Sequence, residues 1–330
     1  MRSPIDRRDA VLAGILVAMV ALITLRAPVF LSAGSLDTLV TDGSILAMMA
    51  LVQMLALLTG GIDLSIAANM ALVGMVTALV SRAHPEAPVA LTLAIALALG
   101  GMLGAINAVL IAVVRMPPIV VTLGTMSLFR GAVFLVSGGA WVNAHEFGAD
   151  YLAFPISRAL GLTHICWIAA IVILAGYVFL NHTAKGRELY ALGGNRAAAR
   201  YVGIDESRVV MRVYCLTGVV SGLAGYLWVA RYAVAYTETA LGFELQTVAA
   251  CVIGGVTTAG GKGGVLGCLL GAAFLVVILN SLPMIDVSPF WQMAISGAAI
   301  LGAVIVNSRG EARRGKLILQ RPGVAKETAR

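Results

Sequence analysis

The chain has 330 residues, of which 60% are hydrophobic and only 12% carry a charge, and its formal net charge is +7. A soluble domain carries roughly 25% charged residues, so this composition argues strongly against a soluble enzyme or a soluble binding module. The positive charge indicates membrane topology rather than binding to nucleic acid, because the cytoplasmic loops of membrane proteins collect Lys and Arg. The four cysteines show no C-x-x-C spacing and therefore predict neither a metal site nor a disulfide framework.

Ten apolar segments follow one another along the chain, and a helix needs about 20 apolar residues to cross the hydrocarbon of a bilayer. They predict an all-α, multi-pass membrane protein with approximate spans at 10–31, 41–59, 64–80, 88–114, 119–137, 164–181, 209–231, 244–257, 264–282 and 289–307. The first segment is interpreted as an uncleaved span, because its apolar run is longer than the core of a secretory signal. Two segments, 64–80 and 244–257, are short for a full crossing, which is typical of interrupted helices that line a substrate path.

The distribution of Lys and Arg predicts the orientation of the chain. With the N-terminus in the cytoplasm, 18 of the 23 basic residues fall on the cytoplasmic side, as the positive-inside rule requires. Ten spans then place both termini in the cytoplasm. We therefore expect a transmembrane domain over 1–307, a long outer loop at 138–163 and a basic cytoplasmic tail over 308–330.

The stretch GGIDLS at 60–65 interrupts two long apolar runs. Gly60 and Gly61 allow backbone angles that other residues avoid, so the pair is expected to end one helix inside the membrane. Asp63 and Ser65 then lie where their oxygens can accept the free N–H groups in the first turn of the next helix. A charge at the bilayer centre costs at least about 2.5 kcal/mol. Asp63 is therefore either a helix cap alone or a cap that also faces a translocation path.

Four motifs occur in order along nearly the whole chain: GGIDLSIAANMALVG at 60–74, PPIVVTLGTMSLFRG at 117–131, GRELYALGGNRAAARYVGID at 186–205 and VAACVIGGVTTAGGKGGVLGCLLGA at 248–272. Together they resemble the ten-span permease subunits of ATP-binding-cassette sugar importers of the ribose, arabinose, xylose, rhamnose and autoinducer-2 type. The segments TMSLFRG, GGAW and AACVIGG are most similar to the rhamnose and autoinducer-2 branch. The resemblance implies a multi-pass protein of the bacterial inner membrane that moves a monosaccharide or sugar-like solute into the cytoplasm.

The resemblance also implies partners for the chain. These are a second permease subunit, identical or paralogous, a cytoplasmic ATPase and a periplasmic sugar-binding protein, with membrane lipid around them and no nucleic acid. No cofactor is expected in this chain, because ATP would be bound by the ATPase. The glycine-rich GGVTTAGGKGG stretch fails the phosphate-loop pattern, since Val256 stands six residues before Lys262 and Gly263 follows the lysine.

Neutral polar groups recur on otherwise apolar spans, and a passage for a sugar needs hydroxyl and amide groups with few full charges. Taken alone, each such residue is better explained by a hydrogen bond between helices. As a set with the broken element they predict a weakly polar corridor: Gln53, Asn69, Asn107, Thr122, Gly124, Thr125 and Ser127.

The inner loop at 186–205 is the candidate coupling element, since in the resembling family it forms a short cytoplasmic helix that seats in a groove of the ATPase. We expect Gly193 and Gly194 to turn the chain, and Asn195 to cap a short helix. That helix is expected to run from Arg196 through Arg200 to Tyr201, with Gly203 ending it.

Several outer residues leave two interpretations open. They are either solvated loop and interface residues or docking residues for the binding protein: Trp141, Glu146, Glu238 and Glu244. Arg130 is the most isolated charge, and it is expected either to reach the outer interface or to pair with Glu146 or Asp150.

Two other functions stay open at this point. A stand-alone ion-coupled carrier would need buried charges for coupling, and Asp63 and Arg130 are the candidates. A branched-chain amino-acid permease of the same broader superfamily is the other alternative. An enzyme is not expected, because no acid–base or nucleophile constellation can be assembled from the sequence.

Overall fold

The computed structural model describes residues 7–285 and, beyond them, the single residues 291, 294, 297 and 298. The described α-helices are α1 (Arg7–Arg26), α2 (Ala33–Leu58), α3 (Ile66–Ala83), α4 (Val89–Ala112), α5 (Pro118–Ser137), α6 (Ala149–Ile156), α7 (His164–His182), α8 (Ala184–Gly194), α9 (Arg196–Tyr201), α10 (Glu206–Tyr232), α11 (Phe243–Ile253) and α12 (Val265–Ser281). A two-stranded antiparallel hairpin joins Arg158–Ala159 (β1) to Leu162–Thr163 (β2). The predicted tenth span at 289–307 and the tail at 308–330 fall outside this continuous description.

Within the described residues, seven helices are long and apolar enough to cross a membrane: α1, α2, α3, α4, α5, α7 and α10. The helices α11 and α12 are apolar but shorter, with 11 and 17 residues. The multi-pass helical architecture is confirmed, whereas the total of ten spans and the side of each terminus stay predictions. The second span was predicted too short, because α2 begins at Ala33 behind a cap in which the Ser32 hydroxyl accepts the Ser35 N–H at 3.3 Å.

The centre of the protein is a close crossing of α4 and α10. Gly100 and Gly104 on α4 face Gly218 and Gly222 on α10, so that the two backbones touch without intervening side chains. A Cβ atom added at Gly104 would lie 2.7 Å from the Gly218 Cα atom. Small residues spaced by four allow this approach, and the resulting backbone packing replaces the hydrophobic driving force that is missing in lipid.

The helix ends gather in two clusters, which separate two faces of the protein. At one cluster the end of α2, the end of α8 and the turn between α11 and α12 touch one another. At the other, Arg231 on α10 pairs with Asp42 on α2 at 3.1 Å, and Arg158 pairs with Asp37 at 2.8 Å. We call the first cluster the inner face and the second the outer face, following the orientation that the positive charges predict.

The long outer loop forms a small cap over the outer face. It contains a single 3-10 turn, the short helix α6 and the β-hairpin. The Ser81 hydroxyl accepts the Gly148 N–H at 3.0 Å, and Arg82 lies 3.5 Å from Glu146, so α3 holds the start of the cap. Hydrogen bonding from the Asn143 N–H, with help from Arg82, keeps the pKa of Glu146 below its usual value.

The first helix lies at the edge of the protein. Only Leu12 of α1 is buried, and the helix contacts α12. Its inner end is tied down by Arg8, which donates to the Val252 carbonyl at the end of α11 over 3.4 Å. A cation at that position also faces the negative end of the α11 dipole.

Candidate functional site

The GGIDLS stretch is a real interruption between α2 and α3. Gly60 has a φ of 77°, and its N–H donates to the Leu57 carbonyl at 2.8 Å, so the chain leaves the α2 helix there. Gly61 lies directly beneath the Tyr214 hydroxyl, where an added Cβ would be 2.5 Å from that oxygen. The predicted unusual backbone angle is present at Gly60 and not at Gly61, where the close approach of Tyr214 leaves no room for a side chain.

Asp63 is 2% exposed and sits at the centre of a hydrogen-bonded network. One carboxylate oxygen accepts the Ser65 N–H at 3.0 Å and the Ser65 hydroxyl at 2.7 Å, and the other accepts the Thr217 hydroxyl from α10 at 3.2 Å. Asp63 therefore bonds the N–H of Ser65, the residue immediately before α3, and neither Asp63 nor Ser65 accepts a backbone N–H from the first turn of α3, contrary to the expectation. Three donors and no acceptor fit an ionised carboxylate.

The network continues from the break into α4 and α5. The Asn107 amide donates to the Ser65 hydroxyl at 2.7 Å, and the Thr125 hydroxyl donates to the Asn107 carbonyl oxygen, also at 2.7 Å. Thr122 donates to the Ile62 carbonyl inside the break at 3.0 Å. The hydrogen bonds of the polar residues predicted for a corridor therefore connect four helices at the interruption.

The other predicted corridor residues lie apart from this network. Asn69 donates to the Gly100 carbonyl at 3.2 Å, while its own side-chain oxygen finds no partner among the described residues. Gln53 is fully buried, and neither atom of its amide has a partner in the described part of the chain. Gly124 and Ser127 lie on the exposed face of α5, where an added Cβ at Gly124 would meet nothing within 4 Å. No other part of the described chain covers that face of α5 at these two positions.

Three chain segments meet at the inner face in a contact made of backbone, which we call the glycine joint: Leu58, Gly193 and Gly261. The Gly261 N–H donates to the Leu58 carbonyl at 3.0 Å. A Cβ added at Gly193 would collide with that same carbonyl, and one added at Gly260 would lie 3.0 Å from the Gly60 nitrogen. The predicted turn at Gly193 and Gly194 is wrong, because both residues belong to the last turn of α8. Gly193 is small because α2 packs against it.

The short helix α9 begins and ends as predicted. The Asn195 side chain accepts the Ala198 N–H at 3.0 Å, and Gly203, with a φ of 83°, ends the helix. Arg196 donates to the Thr59 carbonyl at 3.1 Å, which ties α9 directly to the end of α2. Arg196 and Arg200 both pair with Glu206, at 3.4 and 2.5 Å.

The end of α9 exposes apolar side chains. Tyr201 is 93% exposed and Val202 is 75% exposed, although Ala199 on the same helix is buried. These two residues lie among charges at the inner face, outside the apolar surfaces of the long helices. An aromatic residue presented in this way is typical of an interface anchor.

The candidate docking residues of the outer face are more scattered. Trp141 is half exposed, and its ring is tilted by 37° relative to that of Tyr236, with the ring centroids 5.2 Å apart. Glu238 is exposed, whereas Glu244 is partly buried at the start of α11 and has one oxygen without a described partner. The predicted pairing of Arg130 with Glu146 or Asp150 is wrong. Arg130 donates to the Thr239 carbonyl at 2.6 Å, because it faces the connection between α10 and α11 rather than the cap.

Chemically, this arrangement suits passage rather than catalysis. The described residues contain no group of three or more His, Cys, Asp or Glu side chains that could hold a metal ion. The polar groups of the broken element form hydrogen bonds with one another, and these bonds connect α3, α4, α5 and α10. The described chain is therefore a helical domain with a hydrogen-bonded break and a backbone joint to an exposed inner helix.

The comparisons with known proteins identify the class. The chain belongs to the family described as "Branched-chain amino acid transport system / permease component", whose model matches residues 35–304. It is 38% identical over 296 residues to the ribose import permease protein RbsC of Escherichia coli K12, covering 89% of this chain and 92% of that protein.

Two further relatives give the same result. The autoinducer 2 import system permease protein LsrC of Enterobacter sp. strain 638 is 33% identical over 282 residues, covering 86% of this chain and 81% of that protein. RbsC of Haemophilus influenzae is 32% identical over 306 residues, covering 92% and 93%. No solved structure matches the chain. The protein is therefore a permease subunit of an ATP-binding-cassette importer, a membrane component and not an enzyme.

Proposed function

We propose that this permease carries a monosaccharide or a sugar-like solute, of the ribose or autoinducer-2 type, across the bacterial inner membrane into the cytoplasm. The named substrates of its relatives support this solute class. The two ribose permeases quoted above are 38% and 32% identical to the chain and the autoinducer-2 permease is 33% identical, so the identities support both solutes. The predicted likeness to a rhamnose permease stays a prediction.

The proposal includes three protein partners. A cytoplasmic ATPase binds nucleotide and drives the cycle, a periplasmic binding protein delivers the solute at the outer face, and a second permease subunit completes the passage. The exposed face of α5, with Gly124 and Ser127, is the surface that we assign to that passage between two subunits. Small residues there leave room for a solute. Hydroxyl-bearing residues there can form hydrogen bonds with the solute that are weak enough for it to move on.

The observation that carries the proposal is the connection between α9 and the broken element. Tyr201 projects from α9 at 93% exposure, as a residue that anchors in a groove of the ATPase should. From the same helix, Arg196 holds the Thr59 carbonyl, and the glycine joint holds the Leu58 carbonyl. A displacement of α9 is therefore delivered to the residue before Gly60.

The hydrogen-bonded network then spreads this displacement to the helices around the passage. Asp63 is bonded to α10 through Thr217, while Ser65 reaches α4 through Asn107. Thr125 carries the network to α5. Closing of the ATPase would favour one packing of these helices over another, which is the energetic basis of alternating access.

A transport experiment tests the proposal. The chain would be expressed with the ATPase and the binding protein encoded beside it, in a bacterial strain without its own ribose permease, and uptake of labelled ribose and of labelled autoinducer 2 would be measured. We expect ATP-dependent uptake of one of the two, and its loss when Arg200 and Gly203 are both replaced by glutamate. Membrane insertion of that variant should be unchanged, because both positions are exposed.

Three outcomes would contradict the proposal. Normal uptake by the double glutamate variant would remove α9 from the coupling path. Uptake driven by an ion gradient in vesicles that contain the chain alone would favour the ion-coupled carrier instead. Uptake of leucine in place of either sugar-like solute would support a branched-chain amino-acid permease, the activity named in the description of the family model.

A further inference from the structure

A cavity of about 930 Å³ lies at the inner face, beside the glycine joint. Its walls are the connection between α4 and α5, the end of α9 and the start of α10, and Gly60 and Tyr214 line its inner part. The solute passage assigned above runs along the exposed face of α5 and does not use this cavity. Its lining is rich in charge, which a solute path for a neutral sugar would avoid.

The charges of the lining do not balance. Three guanidinium groups, those of Arg115, Arg196 and Arg200, face two carboxylates, Asp205 and Glu206. Asp205 is already paired at 3.0 Å with Arg208, which does not line the cavity.

Glu206 is thus the one lining carboxylate left to serve all three guanidinium groups, and it pairs with the two from α9. Arg115 forms neither an ion pair nor a side-chain hydrogen bond within the described part of the chain. The backbone of Arg115 has a positive φ of 63°. Residues other than glycine rarely adopt such a conformation.

A buried hydroxyl in the same lining also lacks a partner. Tyr214 is fully buried, and its hydroxyl makes no hydrogen bond with the described residues. Leaving such a group unsatisfied costs about 1–3 kcal/mol, so an external acceptor would be stabilising. The Asp63 carboxylate and the Arg196 guanidinium both lie within electrostatic reach of it. With Asp63 counted beside Glu206, two carboxylates still face three guanidinium groups, because Asp205 is paired with Arg208.

The backbone around the cavity also favours a negatively charged ligand. The helix α10 begins at Glu206, so the positive end of a 27-residue helix faces the cavity. The opposing carbonyl of Ala112, at the end of α4, accepts the Ser207 hydroxyl at 2.9 Å and is therefore satisfied. Positive side chains, a positive helix end and a free hydroxyl donor all favour an anion with several oxygens.

We propose that this cavity binds a phosphate group. Guanidinium groups match phosphate oxygens with paired hydrogen bonds, and here Arg115 approaches from the α4–α5 connection while Arg196 and Arg200 approach from α9. The Tyr214 hydroxyl has almost no accessible surface, so it donates to a further phosphate oxygen after a small shift of its side chain toward the cavity. A bound phosphate bridges α9 to the α4–α5 connection and so opposes their separation. The phosphate belongs either to a lipid headgroup or to a soluble phosphomonoester; its cytoplasmic placement, but not its binding, rests on the proposed function.

Binding of radiolabelled inorganic phosphate to the purified full-length chain in a neutral detergent tests this site. We expect saturable binding with a dissociation constant of about 1 mM, which corresponds to a binding free energy of about −4 kcal/mol. Arg115→Gln should weaken it by at least about tenfold, the equivalent of one charged hydrogen-bonded contact. Tyr214→Phe, which removes only the hydroxyl, should weaken it by about threefold or more. Lys185→Gln removes an exposed inner charge that does not line the cavity, and should leave binding unchanged.

Competition then distinguishes the two sources. Displacement of the label by short-chain phosphatidylglycerol at lower concentrations than by glycerol 3-phosphate assigns the site to lipid, and the reverse order assigns it to a soluble phosphomonoester. Absence of saturable phosphate binding would overturn the proposal, and so would binding that Arg115→Gln and Tyr214→Phe both leave intact. Neither result would affect transport by the chain, which the uptake experiment measures separately.

Discussion

The bond between Thr217 and Asp63 should contribute more to stability than an ordinary hydrogen bond between membrane helices. Such bonds average about 0.6 kcal/mol in double-mutant cycles and reach about 1.7, whereas bonds to a charged group contribute about 1.5–3. Thr217 donates at 3.2 Å to a carboxylate oxygen that has no other described donor, while both Ser65 bonds go to the other oxygen. We therefore expect a coupling energy of about 1.5–2 kcal/mol between Thr217 and Asp63.

The measurement is a double-mutant cycle with Thr217→Val, Asp63→Asn and the two combined. The free energy of unfolding would be followed by titration with SDS in mixed micelles, with helicity as the signal. Valine keeps the shape of threonine, so the change removes the hydroxyl with little change in packing. Ser221→Ala is the matched control, because the Ser221 hydroxyl is also buried on α10 but donates to the Thr217 carbonyl of its own helix. It should cost about 0.5–1 kcal/mol and show no coupling to Asp63.

A coupling energy near 0.6 kcal/mol would refute the reasoning, because it is the value for a neutral pair and would mean that Asp63 is protonated in the folded protein. A coupling energy near zero would remove Thr217 from the network altogether. Either result would also weaken the route by which we connect the break to α10.

Three further outcomes follow from the packing. Gly104→Ala should cost roughly 1–3 kcal/mol of unfolding free energy, since its new methyl group meets the α10 backbone, whereas Gly14→Ala, in open space on α1, should not destabilise the protein. Gly193→Ala should lower the yield of folded protein in detergent, because its methyl group strikes the Leu58 carbonyl, and Gly194→Ala, with nothing within 4 Å, should not; equal yields would contradict the glycine joint. Tyr201→Ala should weaken binding of the ATPase subunit at least about tenfold without changing helicity, and unchanged binding in a pull-down titration would exclude Tyr201 as an anchor.

Local features of the inner face could be predicted from the sequence because their causes are local. The position of the break depends on Gly60, whose positive φ few other residues adopt. The start of α9 depends on Asn195, whose side chain bonds an N–H three residues away. Gly203 ends the same helix for the reason that applies to Gly60. Such effects act within a few residues and therefore leave a readable pattern.

Contacts between distant segments could not be predicted in the same way, because they depend on how each helix is rotated about its axis. Thr217 completes the network around Asp63 from 154 positions away, and nothing in its own neighbourhood of the sequence marks it. A carboxylate partner was one of two expectations for Arg130, but the rotation of α5 directs it to the Thr239 carbonyl. Gly193 carried a signal, but that signal was interpreted as a turn rather than as a close approach of α2.

The peripheral position of α1 has a consequence for how the protein is made. Its tie to the rest of the chain, the bond from Arg8 to the Val252 carbonyl, involves a residue 244 positions later, and its packing partner α12 is later still. During synthesis α1 therefore enters the bilayer well before any of these contacts exists. Until α12 has been made, the surface of α1 must therefore suit lipid on every side, as its nearly complete exposure allows.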